Sequence, residues 1–227
     1  SRNIDSMGPE DLKIPEIKLV QNVGSDYARE TLAAAAGDFY CSISNEIFKG
    51  ATGFDMVVVD IQKQRTYWGR EDITDEPPLC SSTDLKNGSF GTCQTCEHRC
   101  DTPWQLSAME RRQKCLVSYN LMAIILPDEM PIAIRATGIN ADPVRELMTL
   151  LRLNKTLNRE YHRARIHVTS AKKTTAAGDA YQFRFAKPTL ITEPELIESL
   201  RTVSAQLLSG VQEPIPAIVA GDIDVNI

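Results

Sequence analysis

Four cysteines are spaced in a way that suits a single metal ion. Cys80 is followed by twelve residues and Cys93, then by two residues and Cys96, and after eighteen more residues by Cys115. Two cysteines separated by two residues can bind one ion at a tight turn, and the flanking cysteines complete a tetrahedron of thiolates. Four protein ligands leave no open coordination position, so we expect a structural Zn²⁺.

Three alternatives stay open for these cysteines. An iron–sulfur cluster uses the same thiolate ligands, disulfide or inert thiols need no metal, and Cys100 or His98 can replace one of the four ligands. Cys41 stands apart and is interpreted as a small buried side chain. The chain has six cysteines and no apolar signal segment at its start, so we predict a reducing, cytoplasmic location.

The cysteines belong to a polar stretch, residues 70–115, with several turn signals and few apolar side chains. A stretch of this kind cannot bury a core of its own, so we expect it to be ordered only by a bound ion. It is therefore predicted to be a zinc-binding insertion. No apolar run is long enough to span a membrane, and we predict no membrane association.

A second group of residues combines positive charge with aromatic rings. Residues 145–187 carry ten basic and three acidic side chains, although the whole chain has a net charge of −5. Single-stranded nucleic acid needs such a surface, because each nucleotide has a charge and each base has a π-face. Alternatively, the rings belong to the core and the cations are solvated behind them. The candidate contacts here are Arg163, Arg165, Lys172, Lys173, Tyr181 and Arg184.

Further candidate nucleic-acid contacts flank the cysteine segment, and they are Arg65, Tyr67, Trp68, Arg111 and Arg112. Trp68 follows a strong predicted strand, where it can stack on a base or cover the edge of the core. Arg111 and Arg112, which lie close to Cys115 in the sequence, have an alternative role too. Zinc bound by four thiolates carries a net negative charge, which nearby cations balance.

No catalytic signature is found, and no catalytic residue is predicted. The sequence has no nucleophile elbow, HExxH motif, Walker loop or dinucleotide-binding glycine motif. Asp55 and Asp60 lie on the strongest predicted strand and are the acidic residues that a metal-dependent nuclease would use. We therefore favour a protein that is not an enzyme, with a nuclease as the weaker alternative.

The hydrophobic pattern indicates which elements position these residues. Strands are predicted over residues 54–67, 115–126, 130–137, 161–170 and 180–185, and helices over residues 143–154 and 193–208. The order fits a mainly β fold, a small antiparallel barrel with two or three helices, better than an alternating βαβ sheet. The predicted parts are an N-terminal extension (1–30), a barrel domain (31–190) with the insertion (70–115), and a C-terminal helix with an acidic tail (191–227).

The strand that ends in Tyr67–Trp68–Gly69, followed by PPLCSS, GTCQTC and RRQKCL, resembles a group of tailed-bacteriophage proteins. These are predicted single-stranded DNA-binding proteins of the replication and recombination module, in which a four-cysteine zinc loop interrupts an oligonucleotide-binding barrel (OB-fold). The resemblance covers roughly residues 54–190. It implies that Cys80, Cys93, Cys96 and Cys115 bind zinc.

The function implied by this resemblance is sequence-independent binding of single-stranded DNA by cations and stacking rings, in the cytoplasm of the host cell. Proteins of this kind often recruit replication or recombination partners through an acidic tail, for which Asp222 and Asp224 are the candidates here. The alternative from another class is a zinc-stabilised viral module that binds proteins and no nucleic acid.

Overall fold

The structure is a computed structural model that describes residues 13–22, 25, 27–69, 78–101, 110, 113–157, 160–175 and 178–210. The fold is mainly β, and its sheets are antiparallel. None of the helices within these ranges is long and apolar enough to cross a membrane. The predicted acidic tail, including Asp222 and Asp224, lies outside the described residues, as do Arg111 and Arg112.

Twelve strands and two α-helices are described, together with short π- and 3₁₀-helical turns. The strands are β1 (Ile17–Leu19), β2 (Phe39–Cys41), β3 (Ile47–Phe48), β4 (Phe54–Tyr67), β5 (Cys80–Ser82), β6 (Asn87–Gly88), β7 (Gly91–Thr92), β8 (Leu116–Leu126), β9 (Met130–Ala136), β10 (Ala164–Thr175), β11 (Gly178–Phe185) and β12 (Thr189–Leu190). The helices are α1 (Ala141–Leu153) and α2 (Pro194–Gly210).

The main sheet has the order β11-β10-β4-β8-β9, with β5 added to β4 and β12 added to β10. The five long predicted strands and both predicted helices are confirmed, with boundaries shifted by a few residues. The predicted barrel is not confirmed, because the strands that the structure describes form an open sheet with β9 and β11 at the ends of its path. β4 lies at the centre of this sheet, and both candidate regions are built on it.

The first half of β4 is apolar on both sides because both of its faces are covered. Phe54, Met56 and Val58 point into the main core, which α1 covers. Val57 points to the opposite side, where it packs with Ile124 in a second cluster covered by α2. A bulge after Val58 shifts the register of the pairing with β8, and the second half of β4 then shows the alternation of a strand with one polar side.

Residues near the start of the chain contribute to the main core. β1 pairs with β2, and Ile17, Leu19 and Phe39 are buried against the sheet. These residues fall in or beside the segment predicted as an extension. Their strands are three residues long, so the periodic pattern that indicates a strand is too short to stand out in the sequence.

One edge of β11 pairs with β10, and backbone groups on its other edge bond to side-chain amides instead of to another strand. Gln21 Nε2 donates to the Tyr181 carbonyl at 2.8 Å, and Gln21 Oε1 accepts the Tyr181 N–H at 2.8 Å. Asn140 Oδ1 accepts the Phe183 N–H at 2.8 Å. These amides occupy backbone groups that an open edge would offer to another chain.

Replacing Gln21 by Leu is expected to lower the free energy of unfolding by about 1–3 kcal/mol, because both backbone groups of Tyr181 lose their partner in a partly buried place. Urea unfolding followed by circular dichroism measures the change. Asn22→Leu is the matched control, since Asn22 makes one exposed bond, 2.8 Å to the Asp179 carbonyl. A Gln21→Leu variant as stable as the wild type would contradict this role.

Candidate metal centre

The end of β4 brings the first and the last of the four cysteines together. β5 pairs with one side of β4, so that Cys80 lies opposite Tyr67. β8 pairs with the other side, where Leu116 lies opposite Thr66, and Cys115 directly precedes Leu116. Both cysteines are therefore level with Tyr67 and on the same face of the sheet, although they are far apart in sequence.

The middle pair of cysteines is held by a short hairpin, β6–β7. The Cys93 N–H donates to the Lys86 carbonyl at 2.7 Å. Asp84 orders the approach to this hairpin, since its Oδ1 accepts the backbone N–H groups of Lys86 at 2.8 Å and Asn87 at 2.9 Å. These bonds and the Ser82 hydroxyl hold the pKa of Asp84 well below its ordinary value. The carboxylate therefore stays charged and keeps the turn in place.

One small cavity is lined by all four predicted ligands, Cys80, Cys93, Cys96 and Cys115. Among the described residues, neither Cys100 nor His98 lines it. A side chain on Gly88 would bring its Cβ to 2.6 Å from the Cys80 sulfur, so the hairpin can approach this sulfur only with glycine at that position. The geometry brings together the ligand set expected from the spacing.

The four thiols share a space without already forming a closed group of ligands. Over the described ranges, no group of three or more His, Cys, Asp or Glu side chains has the arrangement of metal ligands. Burial, opposed by Arg65 and supported by the other three cysteines, raises the pKa of the Cys115 thiol to about 11. Ionised thiols in this space would repel one another, and a bound cation offsets that repulsion.

The donor set therefore fits zinc, and it fits an iron–sulfur cluster equally well by chemistry. Either would be held by the four cysteines and would tie the ends of β4, β5 and β8 to the β6–β7 hairpin. Because thiols must lose their protons to bind, metal affinity falls as the pH falls. We call residues 78–101 together with Cys115 the flap.

Arg65 belongs to the cavity wall. Its side chain is buried, its guanidinium forms an ion pair with Asp101, and Nη1 lies 3.5 Å from the Cys115 carbonyl oxygen. Arg99 Nε binds the same carboxylate at 2.7 Å. Arg65 was expected to contact nucleic acid, but its guanidinium is buried beside Cys115, where it would balance the negative charge of thiolates bound to a metal.

Three rings pack together over one side of this cavity. The rings of Tyr67 and His98 are stacked, with centroids 4.0 Å apart and planes inclined by 10°. The Phe90 ring lies 5.9 Å from Tyr67 and 5.8 Å from His98. Phe90 was missed in the sequence, where its signal is an isolated large apolar residue in a polar stretch. Trp68 follows Tyr67 and is half-buried.

The predicted basic hairpin is formed by β10 and β11, but only some of its cations form ion pairs with acidic side chains. Arg163 Nη1 binds Glu160 at 3.0 Å, and the Lys172 ammonium binds Asp179 at 2.5 Å. Lys173 is exposed and, among the described residues, forms no ion pair. The paired cations are already neutralised locally, which leaves less of their charge for a polyanion.

Register places the remaining cations of the hairpin on one face. Arg165 lies opposite Val57, Arg184 lies opposite Thr169, and Lys173 follows Thr169 at an even spacing. All three cations are therefore on the face that α2 covers near β4. Arg184 is exposed and Arg165 is half-buried. We call Arg165, Lys173 and Arg184 the hairpin row.

The aromatic side chains of the hairpin point the other way, into the core. Phe183 is buried and stacks on Phe39, with centroids 5.6 Å apart. Tyr181 is half-buried, and a Cβ on Gly37 would fall 2.6 Å from its ring. Gly37 has φ +93°, so this close turn needs glycine. Tyr181, expected as a stacking ring, is instead packed against the protein.

We call Tyr67, Phe90 and His98 the flap rings. The flap rings and the hairpin row lie on opposite faces of the sheet. Tyr67 shares the face of Arg65, which lies opposite Val117 on the α1 side, whereas the hairpin row shares the α2 side. Along β4 the two regions are about 30 Å apart, from the rise per residue of a strand. The structure therefore does not bring the predicted contacts into one groove.

No protein-family model, curated protein or solved structure matches this chain. The geometry of its own residues supports the proposals that follow. These are the four cysteines at the end of β4, the three rings over them, and the hairpin row.

The acidic residues considered for a nuclease are engaged separately. Asp55 Oδ1 lies 2.7 Å from His167 Nδ1, whereas Asp60 accepts the Ile61 N–H at 2.8 Å and a bond from Gln62 at 3.1 Å. Within the described part of the chain, no acidic cluster suited to a metal ion is found. The nuclease alternative gains no support from these contacts.

Proposed function

We propose that the chain binds single-stranded DNA without sequence preference, as a non-enzymatic protein of a phage replication or recombination module, and that its flap is built on a structural zinc ion. The observation that carries the proposal is the convergence of Cys80, Cys93, Cys96 and Cys115 on one cavity. The resemblance to phage single-stranded DNA-binding proteins depends on these residues. Had they been scattered, the resemblance would have lost its basis.

Two further features support this proposal. The five long strands β11-β10-β4-β8-β9 are antiparallel, as in an oligonucleotide-binding barrel, although they belong to an open sheet of seven strands. In this proposal the hairpin row supplies cations for phosphates, and the flap rings supply surfaces on which bases stack. Because the two regions are on opposite faces, they are proposed as separate contact areas on one bound strand.

The experiment is a titration of the purified protein into a fluorescently labelled oligo-dT, with a duplex of equal length alongside. We expect the single strand to bind more tightly than the duplex, with or without Mg²⁺. Equal affinity for the duplex, or no binding to either, would contradict the proposal. Binding of proteins without nucleic acid would favour the interaction module, and Mg²⁺-dependent cleavage would favour the nuclease.

Replacing Lys173 and Arg184 together by Ala is expected to weaken oligo-dT binding and to make it less sensitive to salt. If each cation neutralises one phosphate, the slope of log K against log salt becomes smaller by about 1.4, from roughly 0.7 per contact on a single strand. Fluorescence anisotropy at a series of KCl concentrations measures the slope.

Lys172→Ala is the matched control for the hairpin row. Lys172 is adjacent in sequence and exposed, but it faces the other side of the hairpin and its ammonium is bound by Asp179. Its loss should change the slope little. A double variant of Lys173 and Arg184 with the same slope as the wild type would show that phosphates do not follow this row.

A further inference from the structure

We propose that Phe90, supported by Tyr67 and His98, is the stacking site for a nucleobase of the bound strand. This inference rests on the proposed function and deepens it, because it names the ring on which a base stacks. It assigns a role to Phe90 and His98, neither of which was a candidate contact in the sequence.

The exposure of Phe90 is the first reason. Its relative exposure is 55%, although it is a large apolar side chain in an otherwise polar segment. In the described part of the chain, Tyr27 is the other exposed aromatic residue, at 48%. Exposing an apolar ring to water is unfavourable, and covering it with another apolar surface is favourable. A nucleobase offers a flat apolar surface of matching size.

The support under Phe90 is the second reason. The rings of Tyr67 and His98 stack nearly parallel, with centroids 4.0 Å apart. The Phe90 ring packs against both, with its centroid 5.9 Å from that of Tyr67 and 5.8 Å from that of His98. A ring held by two others gives up little conformational freedom when a base stacks on it. By contrast, the Tyr27 hydroxyl makes only a long 3.5 Å bond, to Asn45 Oδ1, among the described residues.

The source of the three rings is the third reason. Tyr67 lies opposite Cys80 on β5, Phe90 lies between β6 and β7 just before Cys93, and His98 follows Cys96. Phe90 and His98 therefore come from segments that also supply a cysteine, and Tyr67 lies on β4 directly opposite one. An ion that ties the cysteines together would fix the spacing of the rings, so a structural centre and a binding surface would be built from the same short segments.

No base-specific hydrogen bond is needed at such a site. Stacking is tolerant of sequence, because every base has a π-face. The expected ligand is thus a single-stranded oligonucleotide, and the test uses oligo-dT.

The test compares Phe90→Ala, Phe90→Leu and Phe90→Trp with Tyr27→Ala in the oligo-dT titration, with bound metal measured for each variant. Phe90→Ala should bind about tenfold more weakly, since stacking on one ring is worth a factor of this order. Phe90→Leu keeps the apolar volume and should also be weaker, which separates stacking from folding. Phe90→Trp should retain affinity, and its added fluorescence should be quenched by oligo-dT. Tyr27→Ala should bind like the wild type.

The outcomes separate the two proposals. A wild-type protein that does not bind oligo-dT overturns the proposed function itself. A wild type that binds, together with Phe90→Ala and Phe90→Leu variants within twofold of it and fully metal-loaded, overturns the stacking site alone. An unquenched tryptophan at position 90 in a variant that binds normally overturns the stacking site as well.

Discussion

Cys115→Ser is expected to release the metal from the flap, while Cys100→Ser should keep it. Cys115 lines the cavity with the three other proposed ligands, and Cys100 does not. Binding of zinc to four thiolates contributes about 10–16 kcal/mol in small zinc-dependent folds. Losing one of four ligands removes much of this free energy, so the metal content should fall from about one ion per chain to a small fraction.

The consequence for the flap should be visible by proteolysis. Lys86 is exposed at the start of the β6–β7 hairpin, which the proposed metal would tie to the end of β4 through the cysteines. Without the metal, trypsin should cut after Lys86 faster in Cys115→Ser than in the wild type, and a chelator should have the same effect on the wild type. The sheet itself should keep its circular dichroism signal, because its core does not include the flap.

Cys100→Ser is the matched control, since Cys100 lies in the same segment and its N–H donates to the Cys115 carbonyl at 3.3 Å. Elemental analysis by mass spectrometry identifies the metal in each variant. Detection of iron and inorganic sulfide in place of zinc would favour the iron–sulfur cluster. A wild type without bound metal, or a Cys100→Ser variant as depleted as Cys115→Ser, would refute the proposed ligand set.

Phe39→Ala is expected to lower the free energy of unfolding by about 3–5 kcal/mol, the usual cost of removing a fully buried Phe. Phe39 has no exposed surface, meets Phe54 edge-on at 5.4 Å, and stacks on Phe183 at 5.6 Å. It thus joins β2, near the start of the chain, to β4 and to the basic hairpin. The cavity left by Ala would loosen all three.

Phe48→Ala is the comparison for this prediction. Phe48 also contacts Phe54, at 5.1 Å between ring centroids, but it is only partly buried. Its replacement should cost less, about 1–2 kcal/mol. Urea unfolding at fixed metal concentration measures both. Equal losses for the two variants would mean that Phe39 does not have the central position described here.

The grouping of the four cysteines and the main elements were predictable because their signals are local. The spacing of Cys80, Cys93, Cys96 and Cys115 needs no knowledge of the fold, since only a knuckle and two flanking thiols are required. β4 and β8 are long enough for their pattern to be read, and α1 and α2 show a repeated apolar face. These predictions depend only on residues that are close to one another in the sequence.

What only the tertiary structure decided depends on contacts between distant residues. Tyr67, Phe90 and His98 meet because β5 and β8 pair with the same end of β4. The hairpin row and the flap rings fall on opposite faces because strand register, together with the bulge after Val58, sets which side each residue faces.

The inward placement of Arg65, which is buried, and of Tyr181, which is half-buried, follows from the same cause. Residue type alone predicts that both are exposed, because an arginine or a tyrosine in an alternating strand can face either solvent or a ligand. Asp101 and the Gly37 turn, which hold them inside, are remote in sequence. Residue type and spacing therefore determined what could bind a metal, whereas strand pairing between distant segments decided which side chains are left exposed to meet a ligand.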